Sequence, residues 1–372
     1  MDCSKKVDDS DHQKSVIRTL VKSLYQTQKL RIETGNRLGA NFRRKLGIPE
    51  GEEPDEEQQD ILDDLRSSYK RITDGIADVT KRPTYEFDGL ISSFTELRMV
   101  DHYIRLDLEE GRIKRDIKDA LEGIPIWEEF LKDVTGVGPT MAGVLISELD
   151  PHKAPYPVSF WTYCGLDTVS VWYLVEEEGR TLEKPKPVSK EASDVYEAEM
   201  NKWLEVIETK ENELMAVDED GNAVRVYKLI TKGRSRRREH MVEKEYEDSE
   251  GNVKTRMSLS YNPFIKSKLM GVLASSFLRT GSEYREHYDR YRNRIENDPH
   301  HEDKTKAHIH QMSLRYMVKE FLKHLHLKWR DVVGLPVPPP YHVAKQNGND
   351  HGLEEKLGIE YDWDEYEDRK QS

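Results

Sequence analysis

The segment Trp127–Asp150, WEEFLKDVTGVGPTMAGVLISELD, leaves the chain few ways to fold. Phe130, Leu131 and Val134 precede the turn, and Ala142, Val144, Leu145 and Ile146 follow it, which predicts two short helices with one apolar face each. Between them stands Gly136-Val137-Gly138-Pro139. Glycine reaches positive φ without steric cost and lets backbone come close to a ligand, so both Gly136 and Gly138 are expected in that conformation. Pro139 suits the first turn of the second helix. The spacing over Val134–Ile146 is that of a helix-hairpin-helix, whose turn amides and helix N-terminus form an anion site. Gly136, Val137, Gly138, Pro139 and Thr140 are therefore candidate phosphate contacts. If the turn only packs helices, Val137 should be buried against protein and the cations at 232–238 should be paired with acids.

The residues before this segment carry no comparable signal. Val16, Ile17, Leu20, Val21 and Leu24 recur at helical spacing, as do Ile61, Leu62, Leu65, Tyr69 and Ile72 after the acidic loop GIPEGEEPDEEQ. A hairpin of two long helices, with a third at Phe94–Arg115, is the expectation for 1–120. Charges there alternate in sign and are read as solvated surface, or as a surface for self-association.

GVGPTMAGVLISELDPHKAPYPVSFWTYCGLDTV resembles the C-terminal domain of insertion-sequence transposases of the 110/116/902 group. That domain has a Gly-x-Gly-Pro hairpin, a helix ending in an acid, and a Tyr-x-Gly-Leu element, matched here by Tyr163, Gly165 and Leu166. LSYNPFIKSKLMGVLASSFLR is similar to the family's Gly-Asn-x-x-Leu-Arg helix, with Asn262 at the Asn and Lys268 near its basic position. KAHIHQMSLRYMVKEFLKHLHLKWR resembles the closing helix. The likeness spans Ile124–Val169 and Arg256–Tyr341, and it implies DNA transposition or recombination as the functional setting.

Two departures set limits on what carries over. Family members have an N-terminal RuvC-like domain with spaced acids beginning on an alternating strand, whereas this chain opens with charged helices. The family's proposed nucleophile is a Ser in a Ser-Gly context after Tyr-x-Gly-Leu, but Ser170 is too near and lacks the Gly. No catalytic residue is assigned. A serine displaced by the intervening insertion, to Ser235, Ser258 or Ser260, is the route by which the chain could still be an active recombinase.

Between Tyr173 and Lys254, Pro185 and Pro187 mark a linker, Ala192–Glu211 is expected as an amphipathic helix, and ELMAVDEDGNAVRVYKLI alternates about a D-G turn as a β-hairpin does. HMVEKEYEDSEGNVKTRMSLSY reads as another. The densest positive run, Lys232-Gly-Arg234-Ser-Arg236-Arg237-Arg238, holds five cations and no acid, and Lys254 and Arg256 would lie near it if the second hairpin folds back. Against DNA such cations act by counterion release. His300, His301, His308 and His310 lie close in sequence, but His308 and His310 would point to different helix faces, which does not suit a metal helix.

Charge and cysteine usage bound the rest. A net charge of −13 argues against phosphate binding over the whole surface, but not against a local basic patch. Two cysteines far apart offer neither a disulfide framework nor a thiolate zinc site. No stretch approaches the ~20 apolar residues of a membrane span, so a cytoplasmic, nucleoid-associated setting is expected. The fold class is mainly α (α+β): a helical region at 1–120, a discontinuous transposase-like domain at 121–175 and 255–345, an inserted α+β module at 176–254, and an acidic tail at 346–372 expected to be disordered or loosely attached. DNA is the expected partner, with RNA, a catalytic partner chain and a homo-oligomer through the N-terminal helices as further possibilities. No cofactor is expected, Mg²⁺ entering only for a catalytically active chain. An interaction protein that binds no DNA is the remaining alternative.

Overall fold

The computed structural model describes residues 9–74, 89–178, 181–182, 186–188, 205–210, 213–217, 223–234, 237–249, 251–302, 304–340, 343–344 and 352–363. It divides into two compact units, Met1–Asp150 and Pro151–Ser372. The division falls inside the segment 121–175, expected above as one half of a discontinuous domain.

In the first unit α1 (Asp9–Lys45), α2 (Glu56–Asp74) and α3 (Phe94–Leu121) are the long elements. Ile17, Val21, Leu24, Leu38 and Phe42 form the buried stripe of α1, while Val16 faces solvent. The main partner of α1 is α3 rather than α2. Leu38, Phe42, Tyr69, Ile91, Leu97 and Val100 build one core cluster. Ser93 caps α3 by accepting from the Glu96 amide at 3.2 Å. Buried Glu110 is held by Arg31 at 2.8 Å and Lys114 at 2.7 Å, so its charge is compensated where isolation would be costly.

The expected pair of short helices departs from the reading in its first member. α4 (Pro125–Glu129) ends at Phe130, whose φ of −145° and ψ of −62° break the helix, and a 3-10 turn Leu131–Asp133 follows. α5 (Pro139–Glu148) is buried from Met141 through Ser147 on all sides. A helix apolar all round belongs inside a core, and α5 packs against both α1 and α3. Gly143 is what permits this, since a Cβ there would stand 2.9 Å from a methyl of Ile117 and 3.3 Å from one of Val21. The apolar stripe of α1 is thus used inside the chain.

The second unit is centred on α10 (Lys306–Val332), capped by Thr305 and lined by buried Leu314, Met317, Val318, Phe321, Leu325 and Trp329. Before it come α6 (Pro157–Tyr163), then α7 (Pro263–Lys268) running through a π-helical turn Leu269–Leu273 into α8 (Ala274–Thr280), and α9 (Tyr284–Glu296). Phe277, Tyr284 and Phe321 meet with ring centroids 5.1–5.3 Å apart. Arg330, buried, donates to the carbonyls of Pro336, Pro151 and Ala154 at 2.6, 2.9 and 3.2 Å. His324 is buried, its Nδ1 3.0 Å from the Tyr284 hydroxyl.

The strands lie between α6 and α7. β1 (Val169–Glu178) pairs antiparallel with β6 (Ala223–Arg234), β2 (Thr181–Leu182) and β3 (Lys186–Val188), and β6 continues through β5 (Glu213–Val217) to β4 (Glu205–Lys210). The β5–β6 hairpin follows the predicted alternation. Two readings are corrected. Glu205–Lys210 is a strand and not the end of a helix, because it finds an edge to pair with at β5, and Pro187 sits in β3 rather than in a linker. The earlier part of the expected helix lies outside the described residues. β7 (Met241–Glu247) and β8 (Val253–Leu259) form a separate two-stranded ribbon, as the alternation predicts.

Within the expected acidic tail, the described residues 352–363 are a third correction. α11 (Leu353–Leu357) buries Leu353 and Leu357, Ile359 and Tyr361 are buried beyond it, and the Asp362 amide donates to the Val337 carbonyl at 2.8 Å. Apolar residues spaced among the acids dock it. No helix among the described residues is long and apolar enough to cross a membrane.

Candidate nucleic-acid interface

The glycine turn of the first unit has a definite geometry. Gly136 has φ 99° and lies in the left-handed region, where other residues are strained. Gly138 does not: at φ −90° and ψ 170° it is the extended N-cap of α5, and a Cβ there meets nothing within 4 Å. The expectation of positive φ at both glycines is corrected at Gly138, since an N-cap residue needs an extended backbone. Val137 is buried, 7% exposed, and its amide donates to Val134 at 3.0 Å. That burial is the feature expected of a turn that packs helices. Gly138 is exposed, Pro139 and Thr140 half-buried. Thr140 and Met141 occupy the first turn, where amides have no intrahelical acceptor. Nearby Lys132 is paired with Glu128 at 2.7 Å.

In the second unit the two blocks of the transposase resemblance meet. α6 ends in a turn in which the Gly165 amide donates to Thr162 and the Leu166 amide to Trp161. Gly165 has φ 65°, and a Cβ on it would stand 2.6 Å from the Tyr261 ring, so this position takes only glycine. The Asn262 amide donates to the Tyr163 carbonyl at 2.9 Å and its Nδ2 to the Tyr163 hydroxyl at 3.0 Å. The Asn262 side-chain oxygen caps α7, accepting from Phe264 and Ile265. Asn262, expected as a DNA contact, is thus a joint and a cap.

Around this joint lies a set of cations over aromatic rings. Lys266 Nζ is 4.1 Å from the Tyr261 centroid, Lys268 Nζ is 5.4 Å from that of Phe264, and Lys319 Nζ is 4.6 Å from that of Trp161. Burial lowers the ammonium pKa of Lys266, helped by the positive Arg315, and also that of Lys268. Arg315 is half-buried and its Nε is enclosed without a hydrogen-bond acceptor. Burial lowers its pKa, against the opposing pull of Asp167, Tyr261 and Tyr291. Asp167 is paired with Lys319 at 3.3 Å. Arg315 and Lys319 therefore share the Asp167 carboxylate, and Lys266 adds a third positive charge beside Arg315. None of the three was singled out by the sequence; the spacing of Arg315 and Lys319, one helical turn apart, is the only local signal.

The predicted basic run is divided. Lys232 and Arg234 lie at the end of β6, their backbones paired with Val171 and Val169, just after the Gly165 turn in sequence. Arg237 is exposed in the 3-10 turn Arg237–His240. Arg236 and the side chain of Arg238 fall outside the described residues. Lys254 and Arg256 stand on β8, apart from the run in the pairing pattern: Lys254 reaches Asp248 at 2.7 Å, and the Arg256 guanidinium lies 5.2 Å from the Tyr246 centroid. At the ribbon's base Ser260 Oγ is 3.3 Å from His240 Nδ1, and the His240 ring stands edge-on to Tyr261. Among the described residues no three His, Cys, Asp or Glu side chains converge as metal ligands would.

No protein-family model, curated protein or solved structure matches the chain.

Proposed function

We propose that the chain binds DNA through its second unit, as a relative of the 110/116/902 transposases without autonomous catalysis. The observation that carries this reading is the meeting of Tyr163–Leu166 with Tyr261–Lys268, where Arg315 and Lys319 share one acid, Asp167, and Lys266 stands beside Arg315. Cations over aromatic faces at a shared surface suit phosphates and unstacked bases. The exposed Gly138 and the first turn of α5 are a second phosphate contact in this reading, and Arg237 with the rest of the 232–238 run supplies sequence-independent attraction. DNA is the partner, RNA a further one, and the setting cytoplasmic and nucleoid-associated.

Mobility-shift titration of the full chain against duplex, single-stranded and branched DNA tests the proposal. Lys266→Gln with Lys319→Gln should weaken binding and reduce the salt slope by about 0.9 for each duplex phosphate that is no longer neutralised. Gly138→Val, which places a side chain in open space without strain, should weaken it only if the hairpin touches DNA. Wild-type chain that shifts none of the three DNAs ends the proposal.

A recombinase with a displaced serine is the second reading, favoured by the Ser260–His240 contact, since a hydroxyl beside an imidazole is the arrangement of an activated nucleophile. Nicking of a supercoiled plasmid with Mg²⁺ that disappears in Ser260→Ala would replace the first reading with this one.

A further inference from the structure

The β7–β8 ribbon has two faces of opposite charge. Residues directly opposite in an antiparallel pair share a face, and neighbours along a strand alternate. The register pairs Val242 with Ser258, Lys244 with Arg256 and Tyr246 with Lys254, which puts three cations and a tyrosine on one side. Met241–Leu259, Glu243–Met257, Glu245–Thr255 and Glu247–Val253 form the other side, with three carboxylates. All six charged residues are exposed. A ribbon that served only as a solvated connection would be more stable with opposite charges across the strands. Here Lys244 stands opposite Arg256, an arrangement that destabilises a sheet by up to ~1 kcal/mol.

We infer that the Lys244, Tyr246, Lys254 and Arg256 face lies in the major groove of duplex DNA, with the Glu243, Glu245 and Glu247 face turned to solvent. This rests on the DNA-binding reading above and names the form of DNA and a contacting element. Two strands roughly 5 Å apart with their side chains fill a groove roughly 12 Å wide, and seven residues per strand extend about 23 Å along it. The duplex flanks this ribbon with phosphates on both sides, complementary to cations on both strands. Asp248, at the turn, holds Lys254 at 2.7 Å, so among the described residues Lys244 and Arg256 are the cations of this face with no carboxylate partner on it. The Arg256 guanidinium lies over the Tyr246 ring, a contact between the two residues of this face. The ribbon springs from the joint already described, because His240 at its start receives the Ser260 amide at 2.8 Å and packs on Tyr261.

The opposite face is the internal control. Fluorescence anisotropy of a labelled 20-base-pair duplex with the full chain, across a salt series, compares wild type with Lys244→Gln/Arg256→Gln and with Glu243→Gln/Glu245→Gln. All four positions are exposed, so neither variant loses core packing, and circular dichroism verifies this. The basic-face variant should lose roughly tenfold or more in affinity and about 1.8 in salt slope. The acidic-face variant should keep the wild-type slope. Wild-type Kd and slope in the basic-face variant, with wild type still binding, overturn the ribbon assignment and leave the DNA reading intact. Equal losses in both variants overturn it too. Polyglutamate that displaces the duplex as well as unlabelled duplex does would show a site for acidic protein instead, and absence of wild-type binding to any DNA defeats both proposals.

Discussion

Replacing Gly165 by Ala tests whether the joint between α6 and α7 depends on one missing Cβ. Two costs add at this position. The φ of 65° is left-handed, which costs a non-glycine residue roughly 1–2 kcal/mol. The Cβ would also stand 2.6 Å from two atoms of the Tyr261 ring, whereas ordinary contact begins at 3.4 Å, so the ring must retreat by about 0.8 Å. Tyr261 is 9% exposed and carries His240 on one edge and the Lys266 ammonium on its face, so it moves only by disturbing both. Overpacking of this kind costs about 1–3 kcal/mol. The expected total is about 3 kcal/mol, a fall in Tm of roughly 6–12 °C for a unit of this size. Five of the six tryptophans, Trp161, Trp172, Trp203, Trp329 and Trp363, lie in the second unit, so guanidinium unfolding followed by tryptophan fluorescence reports on it. A Tyr261→Ala background should remove the packing part and leave only the backbone part, about 1–2 kcal/mol. Equal cost of Gly165→Ala in the two backgrounds, or a change below about 0.5 kcal/mol in the wild type, refutes the reasoning.

Two predictions concern pH. Burial would raise the pKa of Glu96, but hydrogen bonds from Lys45, the Ser92 amide and Asn41 hold it down to about 2, below its ordinary 4.5. A depressed carboxylate contributes stability above the unfolded pKa and loses it as pH falls. The first unit should therefore weaken between about pH 4.5 and 2, and Glu96→Gln should flatten that part of a denaturation profile; an unchanged slope refutes the pairing. In the second unit burial pushes His324 down to about 2 and His326 to about 4, the latter against the hydrogen bond of its Nε2 to the Ala154 carbonyl. Both stay neutral in the fold while the unfolded chain protonates below its ordinary 6.5. Stability present above pH 6.5 is lost as pH falls toward 4 through His326, and further toward 2 through His324. Ring proton shifts of His324 that titrate between pH 5 and 7 would contradict its burial.

Local pattern determined much of this protein. The 3.6-residue period of Ile17, Val21, Leu24 and of Met317, Phe321, Leu325 suffices for long helices, because a helix closes its own hydrogen bonds and needs only one apolar stripe. Alternation on either side of Asp248–Asn252 and of the sequence Asp220-Gly221 was likewise enough for the β7–β8 and β5–β6 pairs, whose partners are neighbours in sequence. The glycine turn was placed by the Gly-x-Gly-Pro order and the apolar spacing on either side of it. Its conformations were not, because Gly136 and Gly138 are interchangeable as letters and differ only in where α5 starts. Strand β4 escaped the sequence reading for the same kind of reason: Glu205–Lys210 has a period that either state accepts, and only the edge of β5 decides between them. The docked tail turned on four apolar residues dispersed among acids, whose worth depends on a surface built elsewhere. The cation cluster needed tertiary structure most of all. Lys266, Asp167, Arg315 and Lys319 come from three separate parts of the chain, and no local rule brings them together. It is the absence of a Cβ at Gly165, letting Tyr261 close on the turn, that sets the two segments side by side.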